Sequence, residues 1–183
     1  MRLVRSILLN AGLGLMAVPA AADPWFLHEF GELRAYFKDW LVVCEDEGRG
    51  ACRAVQYQPD PDGDGTWGIA RMAVHRLSQG GHGLVLYIKG MDSAAAHPVT
   101  VLIDERSWQL APEDWRPGVL AVRNVAETIT FTDPLIADQV LGAMRAGLSM
   151  TVTSGDGQTA MISLRGLTAS LLAMDEKAQE NAQ

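Results

Sequence analysis

The two cysteines of this 183-residue chain, Cys44 and Cys52, stand at the inner ends of a stretch reading YFKDWLVVCEDEGRGACRAVQY, Tyr36 to Tyr57. Two thiols can act as a redox couple, as part of a metal site or as a structural bridge. A redox couple favours C-x-x-C, and a zinc site needs further ligands, whereas the spacing here is C-x7-C with no other cysteine. The surrounding residues favour the bridge. Over 37–44, Trp40, Val42 and Cys44 fall on one side and Leu41 and Val43 on the other, as in a strand with two apolar faces. Glu45 to Ala51 supplies acids, Gly48, Arg49 and Gly50, which suit a surface turn. In the second strand Cys52, Ala54 and Gln56 alternate with Arg53, Val55 and Tyr57. Antiparallel pairing sets Cys44 opposite Cys52, and the closed loop is then worth about 2.5 kcal/mol in the chain-entropy account.

Asp60-Pro61-Asp62-Gly63-Asp64-Gly65 matches the first half of a calcium loop, with Asp60, Asp62 and Asp64 as candidate metal ligands. The twelfth loop position is Arg71 rather than a bidentate glutamate, and the ninth is Gly68. An acidic hairpin tip explains the same residues. Of the four histidines, His28, His75, His82 and His97, no two have ligand spacing, and no G-x-S-x-G context accompanies them. The acid pairs Asp104-Glu105 and Glu113-Asp114 point to opposite faces of any strand that carries them. Gly80-Gly81-His82-Gly83 lacks the lysine and helix of a phosphate loop. No catalytic residues are therefore assigned. Trp67, Trp108 and Trp115 lie near turns and are candidate contact residues, with core packing as the competing reading, whereas Trp40 reads as core beside the bridge.

The elements that must position these groups are mostly strands. Asp23 to Tyr36 reads as a short helix or an extended arm anchored by aromatics. Strands are expected over 66–77, 84–88, 99–104, 107–110, 119–122 and 128–131. Asp133-Pro134 is an N-cap followed by proline at the first helical position, and Leu135, Ile136, Val140, Leu141 and Met144 recur at helical spacing up to Gly147. Leu148–Thr153 and Thr159–Leu164 read as a hairpin around Ser154-Gly155-Asp156-Gly157. Leu167, Leu171, Leu172 and Met174 form the apolar stripe of a C-terminal helix. Many short strands with glycine turns predict a mainly β fold, an antiparallel sandwich with one inserted helix and a C-terminal helix.

The N-terminus has the form of an export signal. Arg2 and Arg5 precede an apolar run, Ile7 to Val18, and then Pro19 and Ala20-Ala21-Ala22, so residues 1–22 are expected to be cleaved and 23–183 to form a single β-sandwich domain. Losing two arginines would move the net charge from −7 to −9. That charge excludes the usual nucleic-acid binder, and no later run is long and apolar enough to span a membrane. A bridged, acidic, exported chain fits the periplasm or the exterior.

Two blocks carry a resemblance. One is Phe37-Lys38-Asp39-Trp40 with Cys44 and Cys52-Arg53-Ala54. The other is Met144-Arg145-Ala146-Gly147 and Ser163-Leu164-Arg165-Gly166-Leu167-Thr168-Ala169. Together they resemble the invasion-associated locus B family of secreted or periplasmic bacterial proteins, and equally a related group of uncharacterised proteobacterial periplasmic proteins. The resemblance implies an immunoglobulin-like β-sandwich without established enzymatic activity, in a family whose founding members are linked to host-cell entry. This chain departs from it at Val122–Glu127, where many members carry a second cysteine pair, and at Leu167, where an aromatic is usual. The expected function is therefore that of an exported, non-catalytic module binding a protein or a cell-envelope component, without cofactor. The alternative is a calcium-binding or hydrolytic module built on the Asp60–Asp64 loop.

Overall fold

A computed structural model describes residues 23–59, 70–78, 80–89, 91, 97–117 and 128–182. Among these, twelve strands form two antiparallel sheets flanked by two helices. The larger sheet begins as a meander: β1 (Trp25–Leu27), β2 (Leu33–Phe37), β3 (Trp40–Cys44), β4 (Cys52–Gln58), β5 (Ala70–Arg76) and β6 (His82–Ile88). It is completed by β10 (Thr128–Phe131) and β9 (Trp115–Pro117), in the order β1-β2-β3-β4-β5-β6-β10-β9. The smaller sheet has the order β12-β11-β7-β8, from β7 (Val99–Ile103), β8 (Arg106–Leu110), β11 (Ser149–Thr153) and β12 (Thr159–Ser163). The helices are α1 (Pro134–Ala146) and α2 (Leu167–Glu180). The expected antiparallel two-sheet architecture with two helices is present. The consecutive order of the first six strands does not by itself make an immunoglobulin topology, which interleaves strands between its sheets.

The start of the chain differs from expectation. Residues 37–44 are not one strand, because Lys38 and Asp39 form a two-residue turn with Lys38 at φ +54°. That turn pairs Phe37 with Trp40, and the segment before it, expected as a short helix or an extended arm, is extended and forms β1, an edge strand of the larger sheet, and β2 beside it. The connector before the first helix also contributes a strand, β9, after a single 3-10 turn over Pro112–Asp114. The strand expected at 119–122 lies outside the described residues, as does the segment 1–22.

Alternation divides the larger sheet into two faces. Trp40, Val42, Cys44, Ala54, Met72, Val74, Leu84 and Leu86 point inward and are buried, in one cluster with Val101, Ile103, Met150 and Ile162 of the smaller sheet. The helices complete it: α2 packs over β2–β4, β12 over β4 and β5, and α1 over β6 and β10. Asp133 caps α1 by accepting from the backbone N–H groups of Leu135 and Ile136, as its position before Pro134 predicts. Gly147 ends the helix for a different reason than a left-handed cap, since its φ is −85°. A Cβ there would come within 2.7 Å of the Ile103 side chain, so glycine is required by close packing on β7.

The two sequence blocks that carry the family resemblance meet in space. The Trp40 indole N–H donates to the Ser163 carbonyl at 2.9 Å, the Ser163 hydroxyl donates to Asp39 at 2.5 Å, and the Asp39 N–H donates to the Arg165 carbonyl at 3.2 Å. Gly166, at φ +99°, lies so close to the Phe37 carbonyl that a Cβ would sit 1.8 Å from its oxygen. The Thr168 hydroxyl then donates to the Arg145 carbonyl at 3.0 Å and ties in the end of α1. These contacts lock the β2–β3 turn to the β12–α2 corner, which makes the blocks a structural junction.

Candidate functional site

The inward face of the larger sheet is committed to the core, and the outward face is open mainly over β2–β4, since Ala73, Val85, Tyr87 and Thr128 are buried there too. Cross-strand register arranges that face in rows. One row runs Arg34, Val43, Arg53, His75, the next runs Tyr36, Leu41, Val55, Ala73, Val85, and a third runs Tyr57, Arg71, Tyr87, Thr128. An aliphatic row thus lies between two rows that carry arginines. Over β2–β5 the face forms an open cleft of about 230 Å³. Its floor is Leu41, Val43 and Val55, and its walls include Arg34, Arg53, Arg71 and Tyr57.

Two of these arginines are held in place by acids at the strand ends. The Arg34 Nε donates to Glu32 at 2.9 Å, and Arg53 reaches the same carboxylate at 3.3 Å and Glu45 at 3.0 Å. Burial alone would raise the Glu32 carboxyl, but the bond and charge of Arg34, with Arg53 behind it, hold it below its usual range. Burial favours neutral Arg71, and the neighbouring Arg53 adds to the effect. His75 is likewise pushed down by burial first and then by Arg53 and Arg71, with Glu45 opposing. Among the described residues, Arg34 and Arg53 are thus paired with Glu32 and Glu45, so the edge of the cleft is an ion-paired rim. Such a surface offers apolar ground with an ion-paired rim.

The residues singled out from the sequence are scattered. Cys44 and Cys52 pair directly across β3 and β4 and form a disulfide with Cα atoms 4.1 Å apart. This staple anchors the hairpin that carries Arg53 and Val55. Asp60, Asp62, Asp64 and Trp67 lie outside the described residues. Trp115 is not a contact residue: it is 6% exposed, because β9 turns it toward the core opposite Phe131. Trp108 is half-exposed on β8 and donates to Gln139 of α1 at 3.4 Å. The pairs Asp104-Glu105 and Glu113-Asp114 occupy turns, and Asp114 accepts from the Ala111 N–H.

His97, Ser154 and Asp156 line one small depression beside Trp115. The Ser154 hydroxyl is engaged with the Asp156 carboxylate and the Gln158 carbonyl, which is the bonding of a hairpin turn rather than of a serine activated by histidine. His82 sits 3.9 Å from Asp175, which also binds Arg76 at 3.2 Å. A larger groove of about 440 Å³ runs between Trp25 and α2. Its central cation, Lys177, is already spent on Glu180 at 2.5 Å and on the Trp25 ring, 5.5 Å from its centroid.

Sequence reasoning missed the cleft as a unit. Arg53, Val55 and Tyr57 were legible as one face of one strand, and an arginine within an apolar strand was the available signal. That Arg34 and Arg71 flank them follows from the register of three hairpins.

Fold and surface together define a disulfide-stapled antiparallel β protein that presents one sheet face. The chain belongs to the family described as "Protein of unknown function (DUF1176)", which it matches over residues 34–180. It is similar in fold to the crystal structure of invasion associated protein B from Bartonella henselae, with 15% identity, a TM-score of 0.54, and coverage of 78% of this chain and 96% of that one. The likeness expected from the sequence blocks therefore holds. No curated protein matches the chain.

Proposed function

We propose that this chain is an exported, non-catalytic binding module of the invasion-associated type, which holds a protein or cell-envelope component on the outward face of its larger sheet. In this reading residues 1–22 direct export and 23–183 form an immunoglobulin-like display scaffold in the periplasm or outside the cell. The disulfide favours an oxidising compartment. The observation that carries the reading is the cleft itself: guanidiniums around an aliphatic floor, on the most firmly stapled part of the sheet, with the opposite face consumed by the core. Recognition needs such a rigid mixed surface, whereas turnover needs groups poised to exchange protons or form bonds.

The test is affinity capture from periplasmic extract with the full chain, its Arg53→Gln/Tyr57→Ala variant and a Met161→Ser control on β12. One component retained by the parent and control and lost with the double variant is the expected result. Equal retention by all three overturns the reading.

A further inference from the structure

From the smaller sheet we infer that its outer strand β8 is an addition site for an extended peptide segment of a partner protein, uncharged and alternating at its centre and basic at both ends. This surface is separate from the cleft on the larger sheet and does not depend on it. β8 is the last strand in the order β12-β11-β7-β8, so one of its edges has no neighbouring strand among the described residues. The two-residue turn at Asp104 and Glu105 makes Ile103 and Arg106 a hydrogen-bonded pair, and the antiparallel ladder then alternates. Arg106, Trp108 and Leu110 therefore spend their backbone groups on β7, while Ser107 and Gln109 turn theirs outward. Ala111, the next residue of that parity, shows the same direction, because its N–H leaves the sheet and donates to the Asp114 carboxylate at 2.8 Å. Among the described residues no such cap serves Ser107 or Gln109, and both are exposed.

Edges of this kind are normally blunted by proline, lysine or a bulge. Ser107-Trp108-Gln109 has none of these, and its register with β7 runs unbroken from Ile103↔Arg106 to Val99↔Leu110. An incoming strand gains main-chain bonds to Ser107 and Gln109 and sets alternate side chains on the two faces of the sheet. On the outer face they meet Ser107 and Gln109, which are uncharged. On the other they meet Trp108, half-exposed and bonded to Gln139 of α1, beyond which Leu135, 66% exposed, stands one helical turn from Gln139. That face favours apolar residues. Charge selects the ends. From Asp104 to Asp114, the carboxylates Asp104, Glu105, Glu113 and Asp114 flank the strand against a single cation, Arg106. None of these is in an ion pair with a described residue. Antiparallel pairing of β8 with a second copy would set these acids beside their equivalents at both ends, on a chain of net charge −7. A segment with lysine or arginine at both ends is attracted instead, in either direction.

The test is isothermal titration of the full chain recovered after export, at low ionic strength, with three peptides carrying blocked termini. KTVTVTK has the inferred pattern, ETVTVTE reverses the charge of its ends, and in KTVPVTK a proline removes a central N–H. KTVTVTK is expected to bind at least about tenfold more tightly than either analogue, to weaken with salt, and to slow amide exchange at Ser107 and Gln109. Gln109→Pro removes an outward N–H at a position where an edge strand tolerates proline, and is expected to abolish binding with little change in Tm. Should that variant fail to melt cooperatively, Glu105→Gln/Glu113→Gln, at two exposed positions, is expected to weaken KTVTVTK several-fold and flatten its salt dependence.

Silence from KTVTVTK, equal binding of either analogue, or binding that survives both variants overturns the inference. Silence from KTVTVTK together with concentration-dependent dimers of the parent, lost in Gln109→Pro, overturns it in favour of a second copy on the same edge. Periplasmic capture that depends on Arg53 and Tyr57 stands or falls separately, because those residues lie on the other sheet.

Discussion

His75 shows how one side chain reports the state of the outward face. It stands opposite Arg53 in the β4–β5 register, with Arg71 and Glu45 as further charged neighbours. Burial and the two arginines lower its pKa below the ordinary value of about 6.5. His82, on the opposite, helix-covered face beside Asp175, is lowered by burial, Arg145 and Arg76 against the opposing pull of Asp175 and Asp138. A histidine with a depressed folded pKa favours the fold fully above the unfolded pKa, and that contribution is lost as pH falls toward the folded value. Stability is therefore expected to decline as pH drops below about 6.5, before the carboxylates titrate. Chemical denaturation of the parent and of His75→Gln and His82→Gln between pH 7.5 and about 5 checks this. The variants should show shallower slopes, and unchanged slopes would remove histidine as the cause.

The decisive element is the stapled hairpin β3–β4. Closing its short loop is worth about 2.5 kcal/mol, so Cys44→Ala/Cys52→Ala should lose about that much, and a reductant should lower the Tm of the parent but not of the double variant. Equal Tm for oxidised and reduced parent would show that the bridge adds nothing. Alternation of apolar residues made this hairpin legible in the sequence. The same alternation concealed the β2–β3 turn. Phe37 and Trp40 have opposite parity, so a continuous strand would send them to opposite faces, whereas a two-residue turn returns both to the core. Helix α1 was legible at both ends, because a cap and a proline act locally, while the reason for Gly147 lay in a strand more than forty residues away.

At the scale of the whole molecule, the junction between the Phe37–Trp40 block and the Ser163–Thr168 block joins the larger sheet to the second sheet and the C-terminal helix. Gly166→Ala must both hold a left-handed backbone and displace the Phe37 carbonyl, so a loss of more than about 3 kcal/mol is expected. Trp40→Phe keeps most of the apolar bulk but orphans the Ser163 carbonyl, so about 2 kcal/mol is expected. Urea midpoints measure both, and a Gly166→Ala variant as stable as the parent would mean the corner is free to open.

The sequence by itself determined the β-rich class, the staple and the capped helix, because each is written in neighbouring residues through alternation, spacing or capping. Tertiary structure alone decided that Trp115 is core, that the two family blocks touch, and that Arg34, Arg53 and Arg71 surround one aliphatic floor. Those outcomes depend on strand register and on which face of the sheet the helices cover, and both are fixed by contacts between residues far apart in the chain.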